Sequence, residues 1–589
     1  MQNETLTPTK YRLFAYGFVV FFLLNLALLV RWQLIEHDMF ASLANERIVD
    51  QKIPELRGEI LARDGTTLAY SEPRFDIIVY KTELQFAEKY EKQTRDEFVQ
   101  KVSEVLELEG LAEKLEDGNN WQTIKYKVSY NKKEEVLGLK RDKNPDQNLL
   151  GLRVAYTSER IYPEETLACH VTGYLGKNDI GESVGSAGLE HYWEGLLKEQ
   201  EGFNLTEVDS FGNIIALDDI EQIDARRGAV IQTTIDKNIQ EKIEGRLKAG
   251  VERYGAKSGS VIVMDPKTGE IIGFANYPDY DPNIYYDVEN NRSFKNVAIS
   301  DPAELGSVGK VFTAAAALNE GEIQPDTIVL NSHSGCTTVK EKERDWEICT
   351  YDKKPQGKID ATQALVKSDN LALYEMSKMI GQEKLHDYLR EFGIGTKTGI
   401  DMSGESNGLL RDVDTWTNVD SATYSFGHGY QMTAIQAIRG IGAVANDGML
   451  MTPYVVSKVE EADGTVREYN PIVNSQIIKQ STAQKLKDMM YEVFKSNLDE
   501  SRYKSLTKYN IAMKSGTATI PFKDRAGYSK EVNATYVGFD ASDEKTFIML
   551  VKLEEPKAVE RLSYYSARIL WLDIFIDIKD YLGVPAVKG

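Results

Sequence analysis

Cysteine is scarce in this 589-residue chain, which has three, and histidine nearly so, at six. So few thiols exclude a fold stapled by disulfides, and no Cys/His cluster has the spacing of zinc ligands. A surplus of positive charge is missing too. Against 91 Asp and Glu stand 70 Lys and Arg, a net charge of −21, which argues against nucleic acid as a partner because phosphate contacts need local cations. No period repeats along the chain, and no low-complexity linker interrupts it. What is present is a globular composition, 42% hydrophobic and 10% aromatic, too apolar for disorder. At roughly 150 residues per domain the length allows three or four domains.

One apolar run departs from that average. Leu13 to Val30 reads LFAYGFVVFFLLNLALLV without a charge, and at helical rise it spans roughly 27 Å, close to the thickness of a hydrocarbon core. Lys10 and Arg12 precede it, and Arg31 with Trp32 follows, side chains that suit a headgroup layer. The run is longer than the apolar stretch of a signal peptide, and no clear A-x-A cleavage site follows. The expectation is a cytoplasmic tail over 1–12, a retained single-pass anchor in the cell membrane over 13–34, and an extracytoplasmic remainder.

Residues 35–230 read as an irregular, β-rich pedestal. RGEILARDGTTLAYSEPRFDIIVY alternates as strands do, with Asp64-Gly65 where a hairpin turn belongs. Mixed charges at helical spacing make 81–147 a lobe of solvated helices. From Gly228, GAVIQTTIDKNIQEKIEGRL runs from a strand into a helix. SGSVIVMDPKTGEIIGFANYP is a hairpin whose turn holds Pro266 and Gly269. A mostly helical region from about 302 to 446 separates it from strand-like YNIAMKSGTATI, NATYVGFDAS and KTFIMLVKLEEP, and a helix from about Tyr564 to Tyr581 closes the chain. Helices inserted within one antiparallel sheet predict an α+β sandwich over 250–589.

Three short motifs carry chemistry. Ser307-Val308-Gly309-Lys310 opens an alanine-rich helix, with serine at the positive end of the dipole and lysine one turn on. That is a nucleophile beside a base, provided burial and a neighbouring cation lower the lysine. Ser-x-x-Lys also occurs at Ser129, Ser501, Ser505 and Ser542, but only Ser307 starts a helix apolar on nearly every side. Ser368-Asp369-Asn370 lies between two helical stretches, where it suits either a helix cap or a cleft-lining hydroxyl and amide. Lys514-Ser515-Gly516-Thr517 ends a strand-like run. There Lys514 and Gly516 face one way and Ser515 and Thr517 the other, while the glycine admits a substrate backbone. Lys-Thr-Gly at Lys267 and Lys397 falls in a turn and a loop, which suits no cleft-lining strand.

In this order the three motifs form the signature shared by penicillin-binding proteins and class A β-lactamases. The exported part resembles a class B penicillin-binding protein, a monofunctional peptidoglycan D,D-transpeptidase, over nearly its whole length. Its pedestal carries Arg57-Gly58-Glu59-Ile60, Arg63-Asp64-Gly65, Leu68-Ala69, Tyr162-Pro163, His170, Gly173-Tyr174 and Gly188-Leu189-Glu190, similar to that family's non-catalytic, dimerisation-like module. Its catalytic half carries Tyr277-Pro278, Asp281-Pro282-Asn283, Ser425-Phe426-Gly427-His428-Gly429 and Ala445-Asn446-Asp447-Gly448 in family order. The resemblance implies a serine β-lactamase-like transpeptidase domain in which Ser307 attacks the penultimate D-Ala carbonyl of a stem peptide. Release of D-Ala leaves an acyl-enzyme, which an amine from a second stem converts to a crosslink. It implies Lys310 as base, Ser368 as proton relay and Asn370 as amide clamp. Lys514, Ser515, Gly516 and Thr517 would bind the substrate carboxylate, and the backbone N–H groups of Ser307 and Thr517 would form the oxyanion hole. β-Lactams become acylating partners, and no metal or cofactor is implied. No glycosyltransferase module precedes the pedestal, so a membrane glycosyltransferase partner is expected.

The chain departs from the family pattern at Leu305, where proline is usual, at Gly309, where a bulky residue is usual, and at Tyr564-Tyr565-Ser566-Ala567, where glycine is richer. Gly309 inside a helical turn costs roughly 1 kcal/mol and loosens it. A bridge between Cys336 and Cys349 is allowed by the outer compartment and left open; Cys169 is then unpaired. His428 is the one histidine placed near the cleft. A carboxypeptidase or β-lactamase shares the three motifs, and three intact motifs argue against an inactive scaffold. The anchor and pedestal favour transpeptidation, and GFNLTEVDSFGNII after Gly188-Leu189-Glu190 leans to wall elongation over division.

Overall fold

The computed structural model describes residues 8–31, 33, 48–53, 55–90, 93–116, 119–140, 149–179, 181–208, 214–215, 222–288, 290–342, 344–498, 501–522, 527–542, 547–557 and 562–586. They fall into two compact units, one drawn from 1–56 and 199–227, the other from 57–198 and 228–589. In the first unit, helix α1 (Pro8–Val30) holds the apolar run, with Phe18, Phe21 and Leu23 exposed. Among the described residues no helix is long and apolar enough to cross a membrane. The Phe14 side chain, Trp32 and Leu34, all within the expected anchor, lie outside the described set. The same unit has a small antiparallel sheet of Ile48–Ile53, Gly202–Val208, Gln222–Ile223 and Ile214–Ile215. Asp209 to Gly212 of the run read for elongation lie outside the described residues, as does Asn213.

The second unit begins with a hairpin as predicted. Ile60–Leu61 pairs with the long strand Thr67–Tyr80, and Gly65 in their turn has φ +86°. Trp121–Val128 pairs with Phe75–Tyr80 of that strand and Leu152–Ile161 with Tyr70–Val79, and Val230–Thr233 continues the sheet toward Val456–Glu460. The lobe over 81–147 has helices as expected, Lys81–Tyr90, Arg95–Leu106 and Tyr130–Lys140, but it is more than a set of solvated helices. Besides the strand Trp121–Val128 it has its own apolar core, in which Phe98, Val102 and Leu106 pack with Ile77, Val79, Ile124 and Val136. Phe98, Val102 and Leu106 recur every four residues, a stripe that the surrounding charges hide in a simple count.

The pedestal motifs converge on one buried carboxylate. Arg57 Nε and Arg160 Nε each donate to Glu190 at 2.7 Å, Tyr162 donates to it at 3.1 Å, and Arg57 also reaches Glu194 at 2.6 Å. Glu190 is fully buried, and the two guanidinium groups hold its carboxyl below the usual range against the opposing effect of burial. His170, also buried, donates from Nε2 to the Ser293 carbonyl at 2.8 Å, and burial lowers it to about 4.

The catalytic part opens with helix α2 (Lys237–Tyr254), capped by Asp236, whose side chain accepts from Ile239 N, and stopped by Gly255 at φ +55°. Ile239, Ile243, Leu247 and Val251 form its buried stripe. The predicted hairpin follows as β1 (Ser258–Met264) and β2 (Ile271–Tyr277). Next come helices α3 (Lys310–Asn319), α4 (Asn370–Ile380), α5 (Ala434–Ala445) and α6 (Gln480–Ser496). Strands β3 (Ile511–Pro521), β4 (Tyr528–Asp540) and β5 (Ile548–Glu554) and helix α7 (Ala567–Ile578) complete the domain. The sheet runs β2-β1-β5-β4-β3, antiparallel throughout, with α2 and α7 on one face and α5 and α6 on the other. That is the expected α+β sandwich, and it leaves β3 as an edge. Helix α7 is shorter than predicted because Tyr564 and Tyr565 belong to the loop before it, where Arg568 Nε donates to the Tyr564 carbonyl at 2.8 Å. The region between β2 and α4 is less helical than predicted. It includes a hairpin of Cys336–Val339 and Trp346–Cys349, closed by a Cys336–Cys349 disulfide; Cys169 is a buried free thiol.

Candidate active site

Ser307 lies in a 3₁₀ turn, Gly306–Gly309, and the α-helix proper begins at Lys310. The sequence placed Ser307 in the helix's first turn; it lies instead in the tighter turn just before the helix, between Gly306 and Gly309. Neither position has room for a side chain. A Cβ on Gly309 would lie 2.1 Å from the Tyr430 hydroxyl, and one on Gly306 would lie 2.6 Å from the Thr517 carbonyl. Gly516 packs as closely, since its Cβ would meet the Leu305 carbonyl at 2.1 Å. Glycine at these points lets β3 and the nucleophile turn touch backbone to backbone.

Nine residues of α3 are buried, among them Lys310, which is 1% exposed. Its Nζ donates to the Ser368 carbonyl at 2.6 Å and to Ser368 Oγ at 3.0 Å. Lys514, equally buried, donates to the same Oγ at 3.1 Å and to the Ser515 carbonyl at 3.1 Å. Two lysines thus share one serine hydroxyl. Burial drives Lys310 well below its ordinary value and the Lys514 charge adds to this, with Asp369 opposing. Burial lowers Lys514 to about 7. A neutral lysine amine can accept a proton, which an ordinary surface lysine at neutral pH cannot.

Both readings of Ser368-Asp369-Asn370 hold, divided among its residues. Asp369 is the cap of α4, its Oδ1 accepting from the Leu371 and Ala372 N–H groups while Oδ2 meets His333 Nε2 at 2.9 Å. With Asp369 turned into the helix, Ser368 and Asn370 face the cleft. Ser368 takes φ +53°, a left-handed conformation that costs a serine of order 1 kcal/mol and aims its Oγ at the lysines.

Ser307, Lys310, Ser368, Asn370, Ser515 and Thr517 line one cleft of about 1120 Å³. Lys514 meets it through Ser368, and Gly516 lies behind it against the nucleophile turn. Two side chains are engaged in ways the sequence did not reveal. Asn370 Nδ2 donates to the Cys349 carbonyl at 2.8 Å, tying the motif to the disulfide hairpin. The Thr517 hydroxyl lies 2.9 Å from Ser563 Oγ and accepts from the Ser563 N–H. The cleft also has walls that motif reading missed: Tyr351, Thr519, Lys530, Val532 and Leu562 to Tyr565. Thr519 continues the two-residue alternation of Ser515 and Thr517 and was legible for that reason. The loop at Leu562 has no local signal and reaches the cleft only through the fold. His428 lines the cleft as expected.

An antiparallel sheet between helical layers, with a turn-borne serine, a buried lysine and a lysine-bearing edge strand, defines the penicillin-recognising serine acyltransferases and hydrolases. Comparison with known proteins narrows this. Residues 259–570 match the penicillin binding protein transpeptidase domain, and residues 52–233 match the penicillin-binding protein dimerisation domain. The chain belongs to the class B penicillin-binding proteins, peptidoglycan D,D-transpeptidases of cell-wall synthesis. It is 26% identical to stage V sporulation protein D of Bacillus subtilis over 598 residues, covering 100% of this chain and 88% of that one. It is 28% identical to the probable peptidoglycan D,D-transpeptidase PenA of Neisseria meningitidis over 534 residues, covering 89% and 84%. Among solved structures, penicillin binding protein 2X of Streptococcus thermophilus shares the fold with a TM-score of 0.74 at 22% identity, covering 91% of this chain and 81% of that one.

Proposed function

We propose that Ser307 is the acylated nucleophile and that the three motifs act as one proton-transfer and substrate-holding unit. The observation that carries this is the Lys310–Ser368–Lys514 cluster, in which a buried, depressed lysine bonds Ser368 Oγ in a cleft that Ser307 shares. Lys310 takes the Ser307 proton as Oγ attacks the penultimate D-Ala carbonyl. Ser368 relays that proton to the leaving D-Ala amine. The N–H groups of Ser307 and Thr517 receive the oxyanion, each donor contributing ~3 kcal/mol. Lys514 with the Ser515 and Thr517 hydroxyls receives the terminal carboxylate, for which Thr517 exchanges its bond to Ser563. Asn370 clamps the peptide amide from its place against the Cys349 carbonyl. β-Lactams enter the same cleft and acylate the same oxygen.

The domain division 1–12, 13–34, 35–230 and 250–589 is part of the same reading, with α1 as a single-pass anchor, its N-terminus in the cytoplasm, and the transpeptidase domain outside. The uncharged run Leu13–Val30 and its exposed apolar side chains support it. A membrane glycosyltransferase supplies the glycan strands, in elongation or division; the position of a fluorescent fusion, side wall or midcell, reads which. The central test is labelled penicillin. Wild type acquires one label per chain, Ser307→Ala none, and equal labelling of the two proteins refutes the assignment.

A further inference from the structure

We propose that His428, held by Glu304, receives the second substrate: it takes a proton from the acceptor stem's ammonium group and so makes the amine that attacks the acyl-enzyme. The proposal rests on the Ser307 acyl-enzyme above. Glu304 stands three residues before Ser307 and is 5% exposed. Its Oε1 accepts from the Tyr528 hydroxyl at 3.2 Å. Its Oε2 lies 3.0 Å from His428 Nδ1, within pairing distance though not aligned as a straight hydrogen bond. The imidazole itself walls the cleft that Ser307 walls, with the rings of Phe426 and Tyr528 beside it at 5.7 and 6.1 Å. Tyr528 is kept protonated by burial and by the Glu304 charge, so it stays a donor to Glu304. Other titratable groups facing this corner are Tyr424 and Asp420, which act on Tyr528, and Lys530, which lines the cleft.

With the Glu304 carboxylate on its Nδ1 side, the neutral imidazole that carries its hydrogen on that nitrogen presents the Nε2 lone pair. An alkyl ammonium with a pKa near ~10 is almost wholly protonated at neutral pH and has no lone pair to attack with. Two protons must therefore leave it. Lys310 is bonded to Ser368 and serves Ser307 Oγ, so it handles the second proton. His428 Nε2 takes the first and returns it to solvent. As the new C–N bond forms, the amine's second proton passes to Lys310, which delivers it to Ser307 Oγ as the ester C–O bond breaks. Ester and ammonium become amide, serine hydroxyl and one released proton. Glu304 touches neither substrate, and is a positioning residue. The buried negative charge next to the cleft also favours a cationic acceptor over water.

The test uses the full chain in detergent, with a thioester donor ending in D-alanine to form the acyl-enzyme and either free D-alanine or water to discharge it. Acylation by labelled penicillin, which needs no acceptor, is the reference and separately reports on the Ser307 reading. His428→Gln is expected to lower the ratio of aminolysis to hydrolysis at least tenfold at pH 7 relative to that reference. Glu304→Gln lowers it less. Hydroxylamine, already uncharged at pH 7, should discharge the variant as well as it discharges wild type. An unchanged ratio in His428→Gln, a parallel fall in acylation, or an equal loss with hydroxylamine overturns the proposal. Labelled penicillin that reacts away from Ser307 instead overturns the reading beneath it.

Discussion

Lys514 offers the sharpest measurement, because its burial affects stability and catalysis in opposite directions. Lowering an ammonium from 10.5 to about 7 corresponds to roughly 5 kcal/mol of preference for the neutral form. The folded value lies below the unfolded one, so between about pH 7 and 10.5 the unfolded chain binds more protons and stability rises with pH. Below that window the full cost is present. Lys514→Met keeps the length and apolar volume while removing the ionisation. It also loses two hydrogen bonds, to Ser368 Oγ and the Ser515 carbonyl, worth about 1 kcal/mol each. A net stabilisation of roughly 2 to 3 kcal/mol at pH 7 remains, and it should shrink as pH rises, vanish at about pH 9 and reverse above it. The assay is thermal unfolding of both full-length proteins from pH 6 to 9.5, read as the difference in Tm. Penicillin acylation of the variant should fall at least a hundredfold. Its acid limb should also move to higher pH, since Lys310 loses the neighbouring charge that lowers it. Parallel Tm curves for the two proteins would refute the reasoning, since they would mean that Lys514 titrates alike in folded and unfolded chains.

Gly309→Val should cost about 3 kcal/mol and most of the acylation activity, because the new side chain meets the Tyr430 hydroxyl and Gly427; adding Tyr430→Leu should restore part of both, read by Tm and penicillin labelling. Tyr430→Phe alone should raise stability by about 1 kcal/mol, since that buried hydroxyl has no hydrogen-bond partner among the described residues. Glu190→Gln should cost roughly 3 to 5 kcal/mol by leaving Arg57 and Arg160 buried around a neutral amide, seen as a lower Tm and faster proteolysis.

The catalytic sandwich was legible because its strands are short apolar runs bounded by turns, as in the β1–β2 hairpin around Pro266 and Gly269. The helices of the lobe were legible, but its apolar core was not, because a one-residue stripe such as Phe98, Val102 and Leu106 is thin against many charges, and only packing shows that it is buried. Among site residues, Ser307, Lys310, Ser368, Asn370 and Lys514 stand in motifs whose spacing can be read from the chain alone.

What the sequence determined by itself is local: an uncharged run of membrane length, a serine one turn from a lysine, a loop that suits a helix cap, a strand with glycine where a close approach is needed. Such features follow from bonds and periodicities within a few residues. Only the tertiary structure decided that Asp369 is the cap and Ser368 the shared hydroxyl. It also decided that Asn370 is tied to the Cys349 carbonyl, that Thr517 is held by Ser563, and that His428 meets the buried Glu304. These pairings join residues far apart in the chain, and so do the depressed lysines, since a charge is expensive only where the whole fold has removed the water around it.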